Sequence, residues 1–299
     1  MMYDDVADIL SQLVRTALIP PQGMKYAVAD FSAIEARVIS WLADEKWRLD
    51  VFHGDGKIYE ATGEKMFGVP KSEIKKGSVL RDKSKISELA LGYEGGLGAL
   101  KRMGGDKMGL SDVEMIGLVR KWRMANPAIV DMWKEIDEVS KEAVRYHRAV
   151  KCTSKNVIFD CDGEFMTIEL PVGRKLFYYK PEFKDKKVGR SSMPIRSLCY
   201  RGIDQTTKQW ISIDTYGGKL TENIVQAVSR DLLADAMLRM EKAGYGIVGS
   251  IHDEVITEVP EINAQEWYDN LVKIMSTPPS WAYDLPLNAD GGVMGFYQK

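Results

Sequence analysis

The sequence predicts an α+β fold: an antiparallel sheet assembled from both ends of the chain, with a long, mainly helical insertion between its parts. Three observations carry that prediction. An apolar strand, Tyr26-Ala-Val-Ala-Asp30-Phe31, stands near the start, and a Val- and Ile-rich hairpin at 246–259 stands near the end. Between them, residues 57–149 read mostly as successive helices. Strand, many helices, then strands again is the order expected when helices interrupt one sheet.

The elements follow in order. Residues 5–18 are amphipathic and helical in pattern, and Pro20-Pro21 stops them. After the strand ending at Phe31 a helix starts at once, because Ser32-Ala-Ile-Glu35 spells a capping box. It runs through Val38, Ile39, Trp41 and Leu42 toward Phe52, with a break near Asp44. Residues 57–68 are helical, Val69-Pro70-Lys71-Ser72 is a turn, and residues 78–92 form a further helix. The glycine-rich stretch 94–105 reads as a loop or broken helix. Residues 111–149 are helical, with Asn126-Pro127 as a start signal between two helices. From 150 to 216 the pattern turns to short strands and turns, including residues 166–171 and 175–179. A long helix runs from Thr221 to about Ala243, with Val225, Val228, Leu232, Ala236 and Met240 on one stripe. The hairpin, one more helix and a proline-rich tail complete the chain.

Composition narrows the function classes. The 299 residues are 45% apolar and 28% charged, values of a globular protein with ample core. No run reaches the length of a membrane span, and the N-terminus lacks a basic signal-peptide opening. Cys152, Cys161 and Cys199 show no CxxC spacing, so neither a disulfide framework nor a zinc site is indicated, and a reducing, cytoplasmic setting is expected. The net charge of −2 offers no global pull on nucleic acid. Locally, Lys71, Lys75, Lys76, Arg81, Lys83 and Lys85 face only Glu73 and Asp82. That excess is either a phosphate-binding patch or a solvated helix face.

Asp253 and Glu254 interrupt an apolar hairpin. Adjacent carboxylates there repel each other and lose hydration, so either a divalent cation compensates them or the hairpin tip lies in solvent. Asp30 ends its strand just before a helix. Taken alone it reads as a cap or salt-bridge residue, but two carboxylates on adjacent strand ends can hold a pair of Mg²⁺ ions ~4 Å apart for in-line phosphoryl transfer. Arg81, Lys85, Leu89 and Tyr93 recur every four residues and share one helix stripe. Two cations one turn apart, then an apolar residue and an aromatic, suit a triphosphate at one end and a base at the other. An ordinary amphipathic helix is the alternative.

In order, DFSAIEAR (30–37), RDKSKISELALGY (81–93) and IHDEV (251–255) resemble motifs A, B and C of the family A, polymerase I-type DNA polymerases. ELALGYEGG, TYGGKLTENIVQAVSRDLL (215–233) and LPLNADG (285–291) look like the bacteriophage and prophage branch. The resemblance implies a right-hand fold without a thumb: palm at 1–45 and 205–299, with mainly helical fingers at 46–204. It implies that Asp30 and Asp253, with the Phe31 carbonyl, bind two Mg²⁺ ions, for which Mn²⁺ could substitute. Glu254 would support the site near the primer terminus, and Glu35 would be the steric gate against a ribose 2′-OH. Arg81 and Lys85 would grip the incoming triphosphate, with Lys85 the acid for the pyrophosphate leaving group. Tyr93 would stack at the insertion site. His252, Gln226 and Arg37 would contact primer–template DNA or hold the site's hydrogen-bond network.

Two positions depart from the family pattern. Leu89 stands where many bacterial members carry an aromatic, and Tyr59 where they carry a histidine near the phosphates. The implied activity is DNA-templated addition of dNMP to a primer 3′-OH, in the bacterial host cytoplasm if the gene is a phage's. Because the chain begins shortly before Asp30, a separate polypeptide carrying thumb and exonuclease is expected. A non-catalytic nucleic-acid-binding polymerase subunit is the alternative, and an RNA polymerase of related palm is disfavoured by Glu35.

Overall fold

Near-continuous burial along Met24–Phe31 shows how the chain begins its sheet: Tyr26, Ala27, Val28, Ala29 and Phe31 are all withdrawn from solvent, so both faces of the strand are covered. The computed structural model describes residues 16–186 and 195–298; the helix expected at 5–18 lies almost wholly outside them. In chain order come β1 (Met24–Phe31), α1 (Ile34–Ala43), α2 (Lys46–His53), α3 (Ile58–Phe67) and α4 (Val79–Leu91). Next are α5 (Leu97–Arg102), α6 (Asp112–Ala125), α7 (Pro127–Tyr146), β2 (Val150–Lys151), β3 (Ile158–Cys161) and β4 (Phe165–Glu169). Then follow β5 (Lys175–Lys186), β6 (Ile195–Ile203), β7 (Trp210–Thr215) and α8 (Gly217–Lys242). β8 (Gly246–Ile251), β9 (Glu254–Pro260), α9 (Ala264–Ser276) and β10 (Ala289–Met294) end the chain.

These elements form two compact units, one from the described residues up to Ile34 with those from Ser229 onward, the other Glu35–Val228. The first unit is built on a four-stranded antiparallel sheet in the order β10-β1-β9-β8. Tyr26, Val28, Ile256 and Tyr297 cluster on it, with Met294 packed against them. Helix α9 lies across β1 and β10 and buries Leu271 and Met275.

The proline-rich tail contributes an edge strand, β10, whose Gly291-Gly292 dilutes the period-2 signal that would have marked it. Gly291 is required there: a Cβ would lie 2.0 Å from the Val28 carbonyl oxygen of the neighbouring strand.

In the second unit, helices α2 to α7 precede a six-stranded meander in the order β2 to β7. Its buried face carries Phe159, Cys161, Met166, Ile168, Tyr178 and Leu198. Tyr178 is tied to the long helix α8, where Asn223 Nδ2 donates to its hydroxyl at 2.8 Å. The break near Asp44 is present, with Asp44 at φ 55 between α1 and α2.

Two local expectations change. Ala33, at φ 53, directly precedes the first residue of α1, so Ser32 and Glu35 keep the spacing of a capping box but each stands one position too early to fill its N-cap and N3 places. The glycine-rich stretch carries the short helix α5, in keeping with its reading as a loop or broken helix, whereas α8 begins at Gly217, a turn earlier than expected.

Candidate active site

Antiparallel pairing decides which acids meet. Asp30 stands directly opposite Glu254 on β9 and opposite Asp290 on β10, so three carboxylate residues form one row across β10-β1-β9. Residues opposed in this way share a sheet face. The Phe31 N–H donates to the Asp253 carbonyl at 3.3 Å, which joins the hairpin tip to the end of β1. Asp30 and Asp253 are half-buried, whereas Glu254 is only 3% exposed and accepts a 2.5 Å hydrogen bond from the Tyr297 hydroxyl. The turn holds two residues, because Ile251 pairs with Glu254. His252, exposed at its tip, adopts φ 56, a left-handed conformation that glycine or asparagine takes more readily. Asp290 accepts from the Gly291 N–H at 2.9 Å and from the Tyr268 hydroxyl at 3.4 Å. Neither Asp290 nor Tyr297 was singled out from the sequence. Asp290 lay within LPLNADG, which could have flagged it, but nothing local marks Tyr297.

The stripe on α4 is present in the second unit. Ser78 caps the helix by accepting from the Arg81 N–H at 3.3 Å. Lys85 is exposed, and Leu89 is 50% exposed, an unusual setting for a leucine on a helix that packs several neighbours. Arg81 donates from Nε to Glu60 at 2.6 Å and lies 5.4 Å over the Tyr59 ring. Tyr59 therefore does sit beside the phosphate-gripping candidate, and burial pushes its phenol pKa up. Much of the basic cluster is already engaged: Lys71 with Asp55 at 2.6 Å, Arg81 with Glu60, and Lys83 with Glu114 at 3.7 Å.

Tyr93, just past the end of α4, donates its hydroxyl to Glu35 at 2.8 Å. Burial first, and the Glu35 charge second, hold its pKa well above the usual phenol value. Glu222 on α8 belongs to the same neighbourhood: burial raises its carboxyl pKa and the Glu35 charge adds to that shift. Gly218 explains why the TYGG segment accompanies this corner. A Cβ there would come within 2.6 Å of the Tyr93 carbonyl oxygen, and its N–H donates to the Glu94 carboxylate at 3.1 Å. Gln226 is exposed on α8. Arg37 is 3% exposed, lies 4.6 Å over Phe52, and burial lowers its pKa to about 10, so it remains a cation at neutral pH.

A buried network that no sequence signal announced anchors α4. Arg48 grips Glu88 bidentately at 2.9 and 2.6 Å, with side chains only 1% and 4% exposed. Arg48 also donates to Ser40 at 2.7 Å and to Asn126 at 3.0 Å. Glu88 Oε1 accepts from Thr62 and from the Trp122 indole, each at 2.8 Å. Every charge-bearing atom of the pair thus has partners, the condition under which a buried ion pair is tolerated.

No family model matches the chain. It is 46% identical to a DNA polymerase of Bacillus phage SP02 over all of this chain and 45% of that protein. It is 24% identical to DNA polymerase I of Pseudomonas aeruginosa over 94% of this chain and 25% of that protein. Among solved structures it is similar to the polymerase domain of Pol1 from M. smegmatis, a complex with DNA primer-template and dNTP. The TM-score is 0.64 at 17% identity, covering 98% of this chain and 43% of that one, and the likeness is one of fold. The chain therefore spans less than half the length of these relatives.

Proposed function

We propose that this chain, similar to a phage DNA polymerase along its whole length and to a DNA polymerase I over 94% of it, is the palm-and-fingers core of a DNA-templated DNA polymerase of the polymerase I type. On this reading residues 1–45 and 205–299 are palm and 46–204 are fingers, bounds that differ from those of the two compact units, which divide after Ile34 and before Ser229. The observation that carries the reading is the acidic row, with Asp30 opposite Glu254 and the Phe31 N–H bound to the Asp253 carbonyl.

The donor set suits Mg²⁺. Among the described residues no three His, Cys, Asp or Glu side chains close a complete metal cage. Magnesium rarely needs one, since it keeps water and substrate phosphate among its ligands. Asp30 and Asp253, with the Phe31 carbonyl at the same strand end, would hold two ions, and Mn²⁺ could replace them. Bound there, the metals would lower the pKa of the primer 3′-OH and neutralise charge on the phosphates.

The chain's own residues do the rest by positioning and electrostatics. Arg81 exchanges Glu60 for triphosphate oxygens, with the Tyr59 phenol as a neutral neighbour. Lys85, exposed one turn on, gives a proton to the departing pyrophosphate. Leu89 offers an apolar surface to the nucleotide, and Tyr93 stacks at the insertion site while its hydroxyl holds Glu35 in place against a ribose 2′-OH. Glu254, fixed by Tyr297, supports the primer end. His252 and Gln226 contact primer–template DNA, and buried Arg37 serves the network behind them. The substrates are dNTPs and primer–template DNA, and a separate polypeptide supplies thumb and exonuclease. No helix among the described residues is long and apolar enough to cross a membrane, and the host cytoplasm is the proposed setting.

Primer extension with Mg²⁺ tests the reading. Asp30→Asn and Asp253→Ala are each expected to lower the rate by about 10²–10³-fold or more. Equal activity in wild type and Asp253→Ala would return the chain to a binding-only role.

A further inference from the structure

Four aromatic side chains cross the outward face of the six-stranded sheet: Phe177 and Tyr179 on β5, Phe165 on β4 and Trp210 on β7. Their ring centroids succeed one another at 6.1 Å (Phe177–Phe165), 5.2 Å (Phe165–Tyr179) and 6.2 Å (Tyr179–Trp210). The core of this unit is supplied by the opposite face, so these rings are not needed to close it. Phe177 is 65% and Trp210 58% exposed, an unusual expense of aromatic surface to water.

Polar and cationic groups interleave the rings. Phe165, Tyr179, Arg201 and Ser212 lie in one cross-strand row, and Thr167 stands opposite Phe177. Arg201 is exposed and only loosely paired, its Nε 3.6 Å from Glu182. The Lys180 ammonium sits 5.3 Å from the Tyr179 ring centroid. A protein partner would favour a broad apolar patch, but Thr167, Arg201 and Ser212 flank this narrow file of rings. A file of tilted rings with cations beside it matches another ligand, a flexible strand of bases on a phosphate backbone.

We propose that this sheet face is a stacking platform for unpaired bases of single-stranded DNA, distinct from the acidic row and the α4 stripe. The choice of DNA rests on the polymerase reading; the platform itself rests on the rings and cations alone.

Fluorescence anisotropy with a labelled oligo-dT, titrated with the full chain at several salt concentrations, tests it. Wild type is expected to bind the single strand in preference to a duplex of equal length. Phe177→Ala and Trp210→Ala should each weaken binding by about tenfold, and Tyr179→Phe should keep what Tyr179→Ala loses. Arg201→Gln should reduce the slope of log affinity against log salt by about 0.7. Asp253→Ala should bind oligo-dT as wild type does, so loss of extension and loss of the platform are read separately. Because the rings point outward, the variants should keep the wild-type melting temperature. A Phe177→Ala/Trp210→Ala double variant that melts normally and binds oligo-dT with wild-type affinity would overturn the proposal. So would equal affinity of wild type for single strand and duplex, or tighter binding of oligo-U than of oligo-dT.

Discussion

At Tyr93 a single phenol joins two residues whose roles the motifs imply separately, since its hydroxyl donates to Glu35 at 2.8 Å. Burial and the Glu35 carboxylate both favour the protonated phenol, so the folded protein holds this proton more tightly than the unfolded chain, whose tyrosines titrate near 10. The contribution to stability is therefore complete below about pH 10 and is lost as pH rises through the higher folded-state value. Tyr93→Phe should flatten the decline in urea midpoint above about pH 10; an unchanged decline would show that other tyrosines account for it. The same variant frees Glu35 from its donor and should weaken discrimination between dNTP and rNTP in primer extension. Of these residues Glu35 and Tyr93 were legible in the sequence, because each stands in a motif. Their bond was not, because the contact joins residues 58 positions apart. Asp290 and Tyr297 escaped for the same reason: strand register, not local pattern, brings Asp290 beside Asp30 and Tyr297 onto Glu254.

Helix α4 and strand β10 show what holds the site's elements in place. The pair Arg48–Glu88 has almost no exposure, so removing one partner strands a buried charge. Arg48→Met should cost about 3–5 kcal/mol in chemical denaturation, whereas Arg48→Met/Glu88→Leu should recover most of that loss. A double variant as unstable as the sum of its singles would show that the two groups are not coupled. In β10 the constraint is backbone proximity. Gly291→Ala places a Cβ against the Val28 carbonyl, and relief requires β10 to move away from β1 beside Asp30. A loss of about 1–3 kcal/mol is expected, together with reduced extension; wild-type stability would mean that the edge strand shifts freely. Helices α3, α4, α6 and α7 were legible, since caps, periodicity and Asn126-Pro127 are local signals. Strand β10 and the start of α1 were not, the first because glycines hide its period and the second because Ala33 takes a left-handed turn.

Across the molecule, charge bears on how the proposed DNA substrate is held. A net charge of −2 over 299 residues gives no long-range attraction, so on the proposed function affinity for primer–template comes from local cations and falls steeply with salt. Extension by the chain alone is expected to be distributive, adding few nucleotides per encounter and fewer as salt rises. Hundreds of nucleotides per binding event would show that this core grips the duplex well enough by itself and would overturn the proposal of a thumb-bearing partner. The order of motifs, the acidic hairpin, the apolar strand ending in Asp30 and the four-residue stripe of Arg81, Lys85, Leu89 and Tyr93 were determined by the sequence itself. Each is a matter of covalent order or helical and strand period, which the chain carries wherever it folds. Tertiary structure alone decided that Glu254 and Asp290 flank Asp30, that Glu60 holds Arg81 and Arg48 holds Glu88, and that a file of aromatic rings faces outward from the six-stranded sheet. Those depend on strand register and helix packing between distant segments, which are settled by the burial of whole faces and not by any local run of residues.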